Sequence, residues 1–76
     1  MDKIKFNKNF GKFIAQKRIQ LGITQSELAA RMGNNPQNIS RLERGEISPT
    51  LFWVYNLSKV LEIKLHDLLK EFDKIS

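Results

Sequence analysis

Between Gly33 and Ile39 the chain reads Asn34-Asn35-Pro36-Gln37-Asn38, and Arg41 follows one helical turn after Gln37. Five residues without an ordinary apolar side chain stand between segments that bury Leu and Ile. Amide and guanidinium groups donate and accept hydrogen bonds but carry no nucleophile. A helix that opens this way faces either water or a polar partner. Covalent chemistry has little else to draw on. There is no cysteine, hence no disulfide, thiolate metal site or sulfur nucleophile. His66 is the only histidine, and with Asp67 it makes too few ligands for a metal; polarity at a helix start accounts for both. Ser26, Ser40 and Ser58 have no histidine near them in sequence to suggest a triad. No glycine-rich phosphate loop occurs. The expectation is a binding protein rather than an enzyme, with no metal and no cofactor.

Charge points the same way. Residues 1–45 hold nine Lys/Arg against three Asp/Glu, and residues 46–76 hold four Lys against five Asp/Glu. The basic excess therefore lies in the half that contains the polar stretch. A sequence pI near 9.8 with one-sided charge is a footprint of nucleic-acid binding, the alternative being a solvated basic surface. The opening residues MDKIKFNKNF lack the apolar core of a secretory signal. The longest apolar run, Leu51 to Tyr55, is far short of the ~20 residues of a membrane helix. A soluble, intracellular protein is expected.

The elements that must position these side chains are helical, since apolar residues recur at helical spacing and strand-like alternation does not persist. A first helix carries Phe10, Ile14 and Leu21 up to Gly22, with Asn7 or Asn9 as its cap. Thr24 caps a second, and Glu27 three residues on completes a capping box; Leu28, Ala29 and Met32 form its buried side, and Gly33 ends it. Asn35 as cap and Pro36 at the first helical position open a third, which buries Ile39 and Leu42 and stops at Gly45. Ser48-Pro49 repeats the device for a fourth, with Leu51, Val54, Leu57, Ser58 and Leu61 on one face. His66 to Phe72 reads as a fifth, followed by a fraying tail from Asp73 to Ser76.

The second and third helices are joined so tightly that they must cross steeply, a helix-turn-helix arrangement. The chain here resembles the Cro/phage-repressor (xenobiotic-response-element type) helix-turn-helix family. The resemblance is carried by Gly11, Ile14, Arg18, Thr24-Gln25, Glu27-Leu28-Ala29, Gly33, Ile39-Ser40, Leu42-Glu43 and Gly45. Pro49, Leu51, Leu57, Leu61, Leu65 and Leu68 extend it. It implies an all-α, compact five-helix, lambda-repressor-like DNA-binding domain over residues 1–76, with the motif at about 24–45 and a dimerisation region at about 52–75. The third helix would lie in the major groove, where Gln37 pairs with adenine and Arg41 with guanine. Pro36 occupies the remaining base-reading position, where the family often has a polar residue; it offers only ring contact. Asn34 also departs, since a small apolar residue usually follows the glycine. Gln25, Asn35, Asn38, Arg44 and Arg18 are the implied phosphate contacts, while Lys12 and Lys17 read as solvated. Arg18 and Glu43 resemble a pair that bridges the first and third helices. The alternative for Gln37 and Arg41 is a solvated helix face.

Such small members include phage regulators and the controller proteins of restriction–modification systems. The expectation is a sequence-specific transcriptional regulator of double-stranded DNA, bacterial or phage-encoded, binding a near-palindromic operator as a homodimer in the cytoplasm in association with the nucleoid. Dimer contacts are expected from Val60, Ile63, Leu65 and Phe72, with Trp53 as an outlier. The rival is an antitoxin or bridging module that works through a protein partner on the fourth helix. Its motive is Phe52-Trp53-Val54-Tyr55, where the family usually has polar residues at 52 and 53. Aromatics there either form a partner surface or cover a small core, and Tyr55 is read as core cover.

Overall fold

Four local signals start four helices. The computed structural model describes residues 1–76 as α1 (Lys3–Gln20), α2 (Gln25–Met32), α3 (Pro36–Glu43), α4 (Leu51–Val60) and α5 (Leu65–Ile75), with no strand. Asp2, Thr24, Asn35 and Thr50 each accept a hydrogen bond from the amide three residues on, satisfying a donor the helix cannot use. Thr24 and Glu27 form the full capping box. Only α5 starts without a side-chain cap.

The helix ends are equally uniform. After α1, α2, α3 and α4 the chain closes with the same pair of backbone bonds, the outer one running from Ile23 to Arg18, Asn34 to Ala29, Glu46 to Arg41 and Ile63 to Ser58. This is the Schellman closure, which needs a left-handed residue at its centre. Gly22, Gly33 and Gly45 fill that place three times, and Glu62 (φ 57°) fills it once.

Several boundaries differ from the expected ones. α1 begins at Lys3 on Asp2, two turns before the apolar periodicity starts. Asn7 caps nothing; it is buried, and its carboxamide oxygen accepts from the Ser48 hydroxyl at 2.6 Å. Ser48 is thereby taken up in holding the α3–α4 connection to α1, and Thr50 caps α4 instead. α5 starts one residue earlier than expected and continues through Ile75, so most of the supposed tail is helix. Leu51, expected on the core face, lies outside it.

The core is Phe10, Phe13, Ile14, Ile23, Leu28, Ala29, Ile39, Leu42, Val54, Leu57, Leu61, Leu68 and Phe72. Phe72 of α5 packs edge-on to Phe10 and Phe6 of α1, with centroids at 5.0 and 5.5 Å. α3 packs on α1 and α2, and α4 packs on α2 and α5. Where α1 meets α3 the two backbones touch. A Cβ on Gly11 would lie 2.6 Å from the Glu43 carbonyl oxygen and nearer still to that of Leu42. A Cβ on Gly45 would lie 2.8 Å from the Lys8 Cα. Side chains at either place would push α3 off α1.

Candidate nucleic-acid interface

The residues that α3 does not bury are the polar ones named above. Ile39 and Leu42 are buried, while Pro36, Gln37, Arg41 and Arg44 are exposed. At 3.6 residues per turn these four share one outward face. The turn before it is ordered by its own amides. Asn35 takes the Asn38 amide at 2.8 Å, and Asn34 takes the Asn35 amide at 2.8 Å and the Asn38 side-chain nitrogen at 2.9 Å. Asn38, expected at a phosphate, sits instead on the α4 flank, half-buried and tied to Asn34. There it lines a cleft of about 200 Å³ with Asn34, Leu42, Ile47, Pro49 and Trp53. The departure of Asn34 from a small apolar residue therefore has a structural use: its oxygen holds two donors of the leading turn.

The angle of this face is set from behind by Glu43. Arg18 reaches from α1 with Nε 2.7 Å from one carboxylate oxygen and Nη2 3.1 Å from the other, and its Nη1 donates to the Ile23 carbonyl at 3.0 Å. Gln25 of α2 donates to the same carboxylate at 2.9 Å. One buried carboxylate thus joins the three helices of the motif's neighbourhood. The hydrogen bond to Glu43 holds the Arg18 guanidinium above its ordinary pKa, so the arginine keeps its charge. Gln25, expected to reach a phosphate, is half-buried with its amide nitrogen turned to Glu43.

A second carboxylate lies at the exposed end of α3. Arg44 donates to Glu46 through Nε at 2.6 Å and Nη2 at 3.3 Å, and also to the Ser40 hydroxyl. Arg41 approaches the same group, Nε to Oε1 at 3.7 Å. The Arg44 hydrogen bond, with the charges of both arginines behind it, lowers the Glu46 pKa below its ordinary value. In the sequence Glu46 stands out only as one acid in the charge balance. Its signal was position: an acid directly after the helix-ending Gly45, within reach of two arginines.

Away from α3, exposed apolar side chains occur on α1 (Ile4, Ile19), α5 (Leu69, Ile75) and α4. Leu51 and Phe52 are 71% and 72% exposed. Tyr55, expected to cover the core, is exposed too, with the Lys59 ammonium 5.0 Å from its ring centroid. Trp53 is half-buried against the core, as are Val60, Ile63 and Leu65. Phe72, expected at a dimer surface, is instead held in the aromatic core. His66 and Asp67 meet at 3.0 Å in the open. No group of three or more His, Cys, Asp or Glu is placed to hold a metal, and no helix is long and apolar enough to cross a membrane.

Known proteins resemble this chain in sequence and in fold. The family described as Helix-turn-helix matches residues 14–68. The HTH-type transcriptional regulator y4dJ of Sinorhizobium fredii is 36% identical over 64 residues, 84% of this chain and 83% of that protein. An HTH-type transcriptional regulator of Methanothermobacter thermautotrophicus is 42% identical over 48 residues, 63% of this chain and 70% of that one. Among solved structures, the restriction-modification controller protein C.AhdI from Aeromonas hydrophila superposes with a TM-score of 0.82 at 25% identity, over 90% of this chain and 99% of that one. The clp gene regulator ClgR from Corynebacterium glutamicum gives 0.80 at 25% identity, over 90% and 72%.

Proposed function

The chain belongs to the helix-turn-helix family, and on that premise we propose that it is a sequence-specific transcriptional regulator that binds a near-palindromic operator as a homodimer in the cytoplasm. The observation that carries this reading is the outward face of α3, where Pro36, Gln37, Arg41 and Arg44 stand clear of the buried Ile39 and Leu42. In the proposed complex α3 enters the major groove, Gln37 pairs with adenine and Arg41 with guanine, and Pro36 touches a base edge with its ring. Arg44, Asn35 and the outer edge of Arg18 neutralise or bond phosphates. Such contacts fix register without reading sequence. Two copies would set their α3 helices about 34 Å apart, one turn of the duplex. The role is binding, with no catalytic step.

A randomised duplex pool tests the reading. Enrichment of one near-palindromic motif by the wild type, with loss of discrimination at a single symmetric position for Arg41→Ala, is the expected result. Uniform weakening by Arg41→Ala with no enriched motif would make Arg41 a phosphate contact and the reading wrong. A second reading, an antitoxin-like or bridging module, is favoured by one observation: the exposed Leu51, Phe52 and Tyr55 of α4. It predicts stable co-purification with a protein partner that Phe52→Ser abolishes.

A further inference from the structure

Three of the four arginines of the chain are held by two glutamates, and the two sites differ in one decisive respect. The Glu43 side chain is 6% exposed and its partner Arg18 is nearly covered. The Glu46 side chain is 46% exposed, with Arg41 and Arg44 similarly open. A buried pair cannot exchange its partner without leaving a charge in the interior. An open pair exchanges readily, because solvent takes up whichever ion is released. Arg44 bonds the Glu46 carboxylate through the same two-nitrogen fork that arginine offers a phosphate.

We propose that Glu46 is a specificity-determining residue: an internal stand-in for a DNA phosphate that occupies Arg44 and steadies Arg41 until a cognate duplex displaces it. The inference rests on the DNA-binding reading and goes beyond it. With the carboxylate in place, Glu46, Arg41 and Arg44 present one net positive charge beside α3 instead of two. Any duplex must compete with Glu46 for Arg44. A cognate site offsets that competition through the base contacts of Gln37 and Arg41, whereas an unrelated duplex offers phosphates alone. The cost of freeing Arg44 is common to both duplexes and cancels from their ratio, so Glu46 discriminates through Arg41, the base-reading arginine whose Nε lies 3.7 Å from its carboxylate. It holds Arg41 toward the C-terminal end of α3, limiting the positions its guanidinium samples before contact. Arg44 and Glu46 are the charged residues of the α3–α4 connection, and Glu46 is its one negative charge, so the effect belongs to this carboxylate.

The test is Glu46→Gln, which keeps the side-chain shape and removes the charge, with Glu62→Gln in the α4–α5 connection as a control for net charge. Affinity for the enriched operator and for an unrelated duplex of equal length is measured between about 50 and 200 mM salt, after a thermal melt shows the variants folded. Glu46→Gln is expected to bind unrelated duplex about two- to fivefold tighter, with a salt slope steeper by about 0.9, and to lower the ratio of operator to unrelated affinity. Glu62→Gln is expected to leave that ratio where it was. Equal gains by both variants, or no gain or a loss by Glu46→Gln, overturn the proposal and leave the DNA-binding reading intact. Failure of the wild type to bind any duplex at the lowest salt overturns both, and is recognisable because it precedes any comparison of variants.

Discussion

Arg18 meets Glu43 across 25 positions of sequence, with its Nε 2.7 Å from one carboxylate oxygen and its Nη2 3.1 Å from the other. The pair joins the end of α1 to the end of α3, and the buried carboxylate also holds Gln25. Arg18→Met removes one partner and leaves the other charged in the interior. A loss of about 3 kcal/mol is expected, read as a lower urea midpoint with an unchanged slope. Replacing Glu43 with Leu in the same chain should recover part of that loss, because no unpaired carboxylate then remains.

Gly11→Ala tests the backbone contact between α1 and α3. Its new methyl would collide with the carbonyl oxygens of Leu42 and Glu43, which cannot move without moving α3. A destabilisation of about 1–3 kcal/mol is expected, against the small gain that alanine normally gives inside a helix. A thermal melt decides the sign.

Glu62 is the one left-handed residue that is not glycine. Glu62→Gly keeps the closure bond from Ile63 to Ser58 and removes the steric cost of a Cβ there. A net gain of about 0.5–1 kcal/mol is expected, which in a domain of this size raises Tm by a few degrees.

Glu46 supplies the pH dependence. Its carboxyl titrates below its ordinary value of 4.5 because Arg44 bonds the ionised form. A lowered folded-state pKa adds stability above the unfolded value and loses it as pH falls through the folded one. The pair should therefore contribute at neutral pH and weaken below about pH 4.5. Carboxyl-carbon NMR should show the Glu46 midpoint moving upward in Arg44→Ala.

The α4 surface separates folding from association. Phe52→Ser changes an exposed ring and is expected to alter stability by no more than about 0.5 kcal/mol. Phe72→Ala opens the aromatic core and is expected to cost about 3–5 kcal/mol. If α4 joins two copies, light scattering of the folded Phe52→Ser variant will report a smaller mass than the wild type.

The parts of this fold that could be read from the sequence were those whose cause is local. Thr24 and Glu27 lie three residues apart and satisfy each other's neighbours, so the start of α2 is written in place. Asn35-Pro36 announces α3 in the same way. The start of α1 was hidden because Phe6 and Asn7 are explained only by Phe72 and Ser48, far along the chain. Ser48 misled for the same reason: its hydroxyl satisfies Asn7 rather than a helix end. The exposed face of α3 was legible, since Ile39 and Leu42 fix which side is buried and the rest follows from the turn. The inward grip on Gln25 and the flank position of Asn38 depend on where Glu43 and Trp53 arrive in space. No local pattern contains that.

The aromatic contact of α1 with α5 reaches beyond packing. Phe6 and Phe10 clasp Phe72, and Lys17 bridges to Glu71 at 2.5 Å, so the first helix and the last hold each other. The five helices form a closed circuit rather than a row. A row can unzip from one side, whereas a circuit must be cut before any member comes free. Amide protons in α1 and α5 should then exchange in a single cooperative opening with those of α3, instead of earlier, and the recognition surface should vanish all at once or not at all.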